Sequence, residues 1–450
     1  MNRLLTVLIL LVATGLAATV ISLRSCARAG REDGFVFSAD PARVRQINLR
    51  AGAERFSLAR AGGNWEVREG DFEDLADSAQ AEAVLALATR LVAYDRIPEV
   101  RDRDQLGEFG LRSSKRWIEL EGDRKIRLLL GKEAAAEGRI YARIDGENDV
   151  YLIDDAIVRF TEKPLREFRD RRLTRVLPSQ VDRFSISGQS GEIEIARKPS
   201  GWEILKPLSA PADAVEVEKF LARLLSLDVL GFVGPDSGNI GLYGLADGRN
   251  QAALYVEGRE RPMVLRFGSP DAEHPGEVFA QFTPRDTVVR LPEAARAALD
   301  ARPDTFRDRR IFPVNPDIVD LIRISSDGRE VSLRRDGEKW ALTESGGAAR
   351  AASEAAVARL FDVLATPSVL EFSAAPPPAD PPSRSVGFYS VLTENSAEEN
   401  AGEHPVAKVI FYPPAGGRSL CVVEGQSGGL LVPEALAAGI SADPAKWVAP

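Results

Sequence analysis

The sequence predicts an α+β protein in which one N-terminal transmembrane helix is followed by three tandem repeats. Three observations lead to this prediction. An uncharged stretch of 20 residues lies near the N-terminus, tryptophans recur at spacings of 137 and 138 residues, and the apolar residues around each tryptophan follow strand spacing and then helix spacing. We therefore expect each repeat to contain a β-hairpin, one amphipathic helix and a further, mainly antiparallel sheet.

The uncharged stretch runs from Leu4 to Leu23. As a helix it would be about 30 Å long, which matches the hydrocarbon core of a bilayer. A cleaved signal peptide usually has a shorter apolar region of roughly 7–15 residues. Leu23-Arg24-Ser25-Cys26 is a poor match to a lipoprotein cleavage box, so lipidation of Cys26 stays open. We expect residues 1–35 to form an uncleaved membrane anchor and a short linker.

Charges beside this segment do not settle its orientation. Arg3 lies on one side, and Arg24, Arg28 and Arg31 lie on the other. On that count alone the positive-inside rule would place the body of the protein in the cytoplasm. A three-residue tail is nevertheless difficult to translocate, which favours the opposite orientation.

The repeat is visible in Trp65, Trp202 and Trp340 and in the residues that precede them. Five apolar positions keep the same distance from each tryptophan without a gap. They are Val44, Ile47, Leu49, Phe56 and Leu58; Val181, Phe184, Ile186, Ile193 and Ile195; and Val319, Ile322, Ile324, Val331 and Leu333. Spacings of two indicate strands with one buried face. The predicted repeats are residues 36–172, 173–310 and 311–450.

Turn-forming residues divide each of these segments into a hairpin whose second strand runs towards the tryptophan. We expect the three tryptophans to cover the apolar face of the sheet. The alternative interpretation is a platform on which a ligand stacks.

A helix is predicted about a dozen residues after each tryptophan. Asp77 with Gln80, and Asp213 with Glu216, match capping boxes, whereas Ser353 lacks a reciprocal partner. Apolar side chains then recur at helical spacing and form a stripe suited to packing on a sheet. These residues are Val84, Leu85, Ala88 and Leu91; Val217, Phe220, Leu221 and Leu224; and Val357, Leu360, Phe361 and Leu364.

An aromatic-Gly-Leu step follows the helix at Phe109-Gly110-Leu111 and Tyr243-Gly244-Leu245, with Val386-Gly387-Phe388 as a looser third copy. Four further strands are predicted after each of the first two steps. The third repeat diverges through a proline-rich linker at 374–382 and a polar insertion at 393–404, and we expect it to lack one strand. A specific function is expected in these divergent segments or at the boundaries between repeats.

Those boundaries carry a duplicated string, Phe168-Arg169-Asp170-Arg171-Arg172 and Phe306-Arg307-Asp308-Arg309-Arg310. The arginines could bind an anion. Because the string recurs only at boundaries, we favour a joint in which arginines fix neighbouring repeats through carboxylates or helix C-terminal carbonyls.

Chemical motifs are scarce. His274 and His404 each stand beside a proline in a polar stretch and are interpreted as exposed loop residues. Cys421 lies in an apolar run and is interpreted as core. No phosphate loop, dinucleotide fingerprint or nucleophile elbow occurs, so we predict no catalytic residue, metal or cofactor. A formal charge of −9 without a basic stripe argues against nucleic acid as a partner.

Together these motifs resemble the bacterial family called domain of unknown function forty-three-forty. The resemblance covers most of residues 36–312 and rests on Gly201-Trp202-Glu203-Ile204, Pro211-Ala212-Asp213, Tyr243-Gly244-Leu245, Leu265-Arg266-Phe267-Gly268 and Arg307-Asp308-Arg309-Arg310. It implies a membrane anchor, a periplasmic body and genes beside ABC-transporter components of the gliding-motility type. No catalytic residue is carried over with it.

The resulting hypothesis is a non-enzymatic accessory or scaffold protein of the inner membrane, with its body in the periplasm and other membrane-complex proteins as partners. An envelope hydrolase or carbohydrate-binding protein with a cleft between repeats is the alternative. A purely structural spacer is a third possibility.

Overall fold

The structure, a computed structural model, describes residues 34–233, 239–283, 285, 287–312, 314–344, 347–391 and 402–448. The predicted anchor, Leu4 to Leu23, and Cys26 lie outside these residues. Within the described ranges, no helix is both long and apolar enough to cross a bilayer. The chain divides into two compact units, residues 1–173 and 174–450, of which the second contains two sheets.

The first unit is built on a nine-stranded antiparallel sheet of order β5-β4-β3-β2-β8-β9-β10-β11-β7, beside which β1 pairs with β6. Its strands are β1 (Phe35–Ser38), β2 (Gln46–Ala51), β3 (Glu54–Ala61), β4 (Asn64–Glu69), β5 (Phe72–Leu75), β6 (Arg90–Val92), β7 (Asp95–Ile97), β8 (Arg116–Glu121), β9 (Lys125–Glu133), β10 (Arg139–Ile144) and β11 (Val150–Asp154). Its helices are α1 (Ser78–Thr89), α2 (Arg103–Glu108) and α3 (Ala156–Thr161).

The second sheet has the same connectivity, β15-β14-β13-β12-β17-β18-β19-β20-β16. Its strands are β12 (Val181–Gly188), β13 (Gly191–Lys198), β14 (Gly201–Lys206), β15 (Ala210–Pro211), β16 (Gly231–Phe232), β17 (Gln251–Val256), β18 (Met263–Pro270), β19 (Glu277–Phe282) and β20 (Val288–Pro292). The accompanying helices are α4 (Ala214–Leu225), α5 (Glu293–Arg296) and α6 (Pro303–Phe306).

The third sheet repeats the pattern once more, β24-β23-β22-β21-β26-β27-β28-β29-β25. Its strands are β21 (Leu321–Ser326), β22 (Arg329–Asp336), β23 (Lys339–Glu344), β24 (Arg350–Ala351), β25 (Glu371–Ser373), β26 (Arg384–Val391), β27 (Glu403–Phe411), β28 (Arg418–Val423) and β29 (Gly429–Pro433). The helices are α7 (Glu354–Ala365) and α8 (Glu434–Gly439).

Short 3-10 turns complete the described elements. They span Pro41–Arg43, Leu165–Phe168, Pro178–Gln180, Ile240–Tyr243, Ala297–Asp300, Pro316–Ile318 and Pro444–Lys446.

The α+β class and the mainly antiparallel sheets agree with the sequence prediction, and three sheets with one strand order are what tandem repeats would give. All the apolar positions kept in register with the tryptophans are buried. In each repeat the long helix packs apolar residues into the core, because the chain crosses one face of the sheet to reach the opposite edge. Burial of these side chains contributes roughly 1.5–3 kcal/mol for each large residue. The assignment of Leu91 to the first helical stripe is wrong, since α1 ends at Thr89 and the buried Leu91 lies on β6.

The predicted hairpin is part of a longer meander. The tryptophan lies on the strand after the hairpin, as Trp65 does on β4. In the first repeat Gly62 and Gly63 make the intervening turn with φ values of +54° and +85°, which glycine adopts at little cost. The four-stranded meander therefore precedes the helix in every repeat.

The capping boxes are only half present. Asp77 Oδ1 accepts bonds from the amides of Ala79 and Gln80 at 2.9 and 3.2 Å. The reciprocal bond is absent, since the Asp77 amide already donates to the Phe168 carbonyl at 2.7 Å. Gln80 Nε2 instead donates to the Glu167 carbonyl at 2.7 Å. Ser353 makes no side-chain cap bond.

The prediction that the third repeat lacks a strand is wrong. Val386-Gly387-Phe388 is not an aromatic-Gly-Leu step but the middle of β26, the central strand of the third sheet. Val386 and Phe388 are both fully buried and alternate with Gly387, which is strand periodicity. The proline-rich linker leads directly into this strand, and residues 393–401 of the polar insertion lie outside the described ranges.

Candidate functional site

The three tryptophans are buried, with 3, 4 and 7% of Trp65, Trp202 and Trp340 exposed. An arginine from the neighbouring strand covers each ring. Arg60, Arg197 and Arg335 lie 4.9, 4.4 and 5.0 Å from the respective ring centroids. Sequence reasoning missed these arginines, although they recur at the same spacings as the tryptophans they pair with. Each arginine and tryptophan therefore pair across two adjacent strands, one strand away from the edge of the sheet.

The first Arg-Asp-Arg-Arg string packs against its own repeat. Arg169 Nε lies 2.6 Å from Asp74 Oδ2, and both side chains are buried. The Asp170 amide donates to the Leu75 carbonyl at 2.8 Å, while the Asp170 carboxylate accepts bonds from the Arg172 amide and side chain at 3.1 and 3.3 Å. Arg171 follows in the same string and has contacts of its own. Within the first unit, this segment closes the repeat beside β5.

The second string makes the corresponding contacts and also reaches the third repeat. The Asp308 amide donates to the Pro211 carbonyl at 3.0 Å, and Arg310 Nη2 lies 2.5 Å from Asp308 Oδ2. This carboxylate raises the pKa of Arg310. Arg309 Nη1 donates to the Val369 carbonyl at 3.0 Å, just beyond the C-terminus of α7. Val369 follows the last helical residue, Ala365, by four positions, so its carbonyl is not one of the helix C-terminal carbonyls predicted as partners of a joint.

Arg307 is held differently from its counterpart Arg169. Ala210 occupies the register position of Asp74, so Arg307 has no carboxylate there. The Arg307 guanidinium instead lies 4.0 Å from the Phe372 ring centroid and 3.4 Å from the Ser427 carbonyl. Burial lowers the pKa of Arg307, and a carboxylate 3.7 Å away on Asp304 acts against that shift. The third repeat therefore covers this arginine, which leaves it poorly placed for a soluble anion.

The end of each repeat is tied to the start of its long helix. The amides of Asp77, Asp213 and Ser353 donate at 2.7 Å to the carbonyls of Phe168, Phe306 and Trp447, respectively. Trp447 thus takes the position that phenylalanine holds in the two strings. Sequence reasoning missed this equivalence because the third repeat carries no Arg-Asp-Arg-Arg string after the aromatic residue.

The two histidines have different settings. His274 lies in an exposed loop, and its Nδ1 is 2.8 Å from Oδ2 of the buried Asp271. His404 is exposed but begins a strand, β27, so its assignment to a loop is wrong. Strand pairing with β26 extends past Pro405 because the bulge near that residue accommodates it. In the described part of the chain, no group of three or more His, Cys, Asp or Glu side chains is arranged to hold a metal ion.

An apolar groove of about 700 Å³ lies in the third repeat between α7 and α8. Leu360 and Trp447 form part of its floor, and the exposed Val363 stands on one wall. The residues that line the groove are Ala356, Arg359, Leu360, Asp362, Val363, Thr366, Ser368, Ala435, Leu436, Gly439, Ile440, Lys446 and Trp447. Pockets that hold ligands are commonly roughly 300–1,000 Å³ and mostly apolar.

Two residues that line the groove are small where the first repeat has larger side chains. Counted from the helix cap and from the last strand pair, Ala356 and Gly439 correspond to Gln80 and Phe160 of the first repeat. The buried Ala442, which does not line the groove, corresponds to Lys163. There, Phe160 packs against the core, Lys163 Nζ lies 5.5 Å from its ring, and Gln80 Oε1 accepts a bond from Lys163 at 2.8 Å. These three side chains contact one another in the first repeat, whereas the third repeat has alanine or glycine at the corresponding positions.

The second repeat fills the same region with aromatic rings. Phe220 of α4 lies 5.2 Å from Phe306, with the two rings perpendicular. Leu360 and Trp447 take these positions in the third repeat. The third repeat therefore differs from the second at these two core positions.

Polar groups are concentrated at the edge of the groove. Arg359, Asp362 and Lys446 are exposed along its rim. The Ser368 hydroxyl is buried at one end and, among the described residues, has no hydrogen-bond partner. A buried hydroxyl without a hydrogen-bond partner costs free energy.

A comparison with protein families decides the affiliation. The profile described as Domain of unknown function (DUF4340) matches residues 97–238 and 202–384, which together span more than half of the chain. The chain belongs to this family. No curated protein matches the sequence.

The DUF4340 match covers only one wall of the groove. Helix α7 lies inside the matched residues, whereas α8 and Trp447 follow after their end. In this DUF4340 protein the groove is therefore formed by α7, which lies within the matched residues, and by a C-terminal segment that lies outside them.

Proposed function

We propose that this protein is a non-enzymatic, membrane-anchored accessory protein of the bacterial periplasm, and that it associates with an ABC-type transport complex. The observation that carries the proposal is the apolar groove of the third repeat. A concave, mostly apolar surface with a few polar groups is typical of binding sites. On this account the first two repeats form the scaffold and the third repeat holds the partner.

The chemistry of the groove favours binding over catalysis. Its lining contains one carboxylate, Asp362, and neither a histidine nor a cysteine. Glycoside hydrolysis generally uses a pair of carboxylates, and a serine nucleophile needs an adjacent base. Ser368 has no base as a hydrogen-bond partner among the described residues. A hydrolase centred on this groove would lack those groups.

The alternative of carbohydrate binding gains no support from the tryptophans. A stacking platform needs an exposed ring face, but Trp65, Trp202 and Trp340 are buried and covered by arginines. The rings contribute to packing instead.

The compartment and the transport complex rest on the sequence. Leu4 to Leu23 is long enough to anchor the chain, and the family resemblance implies a periplasmic body beside ABC-transporter components. A tether would keep the groove near other membrane proteins and so raise their effective concentration.

Co-purification tests this proposal. The full chain, tagged at its C-terminus, is isolated from cross-linked membranes of its own host in mild detergent, with an unrelated single-pass protein as the control. We expect ABC-transporter subunits to be enriched with the tagged chain. Their absence from repeated preparations, or a C-terminal topology reporter that is active in the cytoplasm, would contradict the proposal.

A further inference from the structure

We propose that the occupant of the groove is an amphipathic helix of a partner protein that inserts an aromatic side chain beside Gly439 and places a carboxylate near Arg359 and Lys446. This inference rests on the proposed function and specifies the chemistry of the partner. The first repeat indicates what the site accommodates, since it fills the equivalent position with its own Phe160.

The first argument is steric. A Cβ atom built on Gly439 meets no heavy atom within 4 Å, and the φ of this residue is not positive. A first side-chain atom therefore meets no obstacle at the exposed Gly439, where the first repeat has Phe160. An aromatic side chain supplied from outside could contact Leu360 and Trp447 in the way that Phe160 contacts its own core. Burial of such a ring is a common source of interface energy.

The second argument is the shape of the site. Ala356, Leu360 and Val363 recur along α7 at helical spacing, and Ala435, Leu436 and Gly439 face them from α8. Small residues on both walls allow a third helix to approach closely. An amphipathic helix in a groove uses anchors at the same spacing as these residues. The axial length of α7 is about 18 Å, which is enough for about three turns of a partner helix.

The third argument is charge. The rim carries Arg359 and Lys446 against Asp362, so it is locally positive on a protein whose formal charge is −9. A partner with a carboxylate beside its aromatic anchor would complement the rim. Complementary rim charges mainly raise association rates and select partners.

A lipid acyl chain fits these observations less well. Sites for small apolar ligands bury roughly 70–90% of the ligand surface. Here Val363, Thr366 and Gly439 are exposed, so the groove is open on the side of the solvent. A peptide helix can cover an open groove with its own polar face, whereas an acyl chain would remain partly in water.

The test places the photo-reactive residue p-benzoylphenylalanine at Thr366, on the rim, in the full-length chain in its own membranes. The adduct is digested and the attached segment is sequenced. We expect a helical segment of another membrane-associated protein, with an aromatic residue within one turn of a carboxylate. A lipid adduct, an adduct to a second copy of this chain, a segment without an aromatic residue or the absence of any adduct would overturn the inference.

Two substitutions provide matched controls. Gly439→Phe should fill the groove and reduce the yield of the adduct by at least about tenfold, which corresponds to 1.4 kcal/mol. Gly402→Phe adds the same ring at another exposed glycine with no heavy atom within 4 Å and should leave the yield unchanged. Ala356→Gln, which restores the residue of the first repeat, should act like Gly439→Phe. Equal yields in all variants would overturn the inference.

The identified segment is then synthesised as a peptide together with its aromatic-to-alanine variant. We expect the variant to bind the purified full-length chain at least tenfold more weakly. If transporter subunits co-purify but carry no adduct from Thr366, the proposed occupant of the groove is contradicted, whereas the proposed accessory function is not. If no subunit co-purifies, the proposed function itself fails.

Discussion

The guanidinium of Arg169 lies 2.6 Å from the carboxylate of Asp74, and both side chains are removed from solvent. This pair joins the end of the first repeat to the edge strand β5. The corresponding residues in the second repeat are Arg307 and Ala210. The second repeat therefore has the arginine but lacks the carboxylate that pairs with it in the first repeat. Breaking a buried ion pair by removing one partner leaves an uncompensated charge.

We therefore predict that Asp74→Ala lowers the opening free energy of the first repeat by about 3–5 kcal/mol. Hydrogen exchange of the β4 and β5 amides measures this quantity locally. The double variant Asp74→Ala/Arg169→Met removes both charges and should recover most of the loss. Unchanged protection in the single variant would show that the pair does not hold this edge.

A second prediction concerns Gly131 and Gly268, which lie two residues before the ends of β9 and β18. A Cβ atom on Gly131 or Gly268 would clash with the carbonyl oxygen of Phe109 or Tyr243, respectively. These carbonyls belong to the aromatic-Gly-Leu step, which turns at Gly110 and Gly244 with φ values of +71° and +68°. Gly131→Ala and Gly268→Ala should each destabilise by at least about 1–3 kcal/mol.

Chemical denaturation of the two alanine variants checks this prediction. Gly402→Ala is the matched control, because a Cβ there meets no heavy atom within 4 Å, and its effect should stay within roughly 0.5 kcal/mol. If Gly131→Ala or Gly268→Ala were as stable as the wild type, the aromatic-Gly-Leu step could move away from the strand without a loss of stability, and the prediction would be wrong.

A third prediction concerns pH and Asp271. Burial opposes ionisation of this carboxyl, but bonds from the Glu273 amide and from His274 outweigh it, so the pKa of Asp271 lies below its ordinary value of 3.8. A lowered carboxyl pKa stabilises the fold above the ordinary value, and the stabilisation is lost as the pH falls through the folded-state pKa. Asp271→Asn should therefore be less stable than the wild type at pH 7.

Urea denaturation at several pH values tests this prediction. The difference between Asp271→Asn and the wild type should shrink as the pH falls below 3.8. Asp380→Asn makes the same charge change in the exposed proline-rich linker and should show a small difference at every pH. A constant difference for Asp271→Asn would assign its effect to packing and not to ionisation.

A fourth prediction concerns Cys421. Burial raises the pKa of its thiol, and the side chain is fully buried in the third core. Because the thiolate is the reactive species, native protein with Cys26→Ser should react with iodoacetamide at least roughly a hundredfold more slowly than free cysteine. Rapid labelling in the absence of denaturant would contradict the described burial.

Much of the fold was predictable because strand and helix spacings are local. The alternation at Ile47 and Leu49, or at Phe184 and Ile186, reports a buried face directly. Val386-Gly387-Phe388 was misassigned because three residues can match a step and a strand equally well. Only its pairing with β21 and β27 distinguishes them, and that pairing joins distant residues.

The candidate site was predictable only as a region. Divergence of the third repeat pointed to the repeat that contains the groove, but to its linker and insertion and not to the groove. The groove depends on side chains that are small at Ala356 and Gly439, and it becomes visible only when α7 and α8 are placed side by side. Absence of a bulky residue is a weak sequence signal, because alanine and glycine are common for many other reasons.

The most direct measurement of the central claim is quantitative co-purification of the full-length chain carrying Gly439→Phe or Gly402→Phe. If the third-repeat groove holds the partner, Gly439→Phe should lose at least about nine-tenths of the co-purified transporter subunits, a tenfold change, while Gly402→Phe retains them. Equal recovery with both variants, at equal abundance and hydrogen-exchange protection of the chain, would contradict the account.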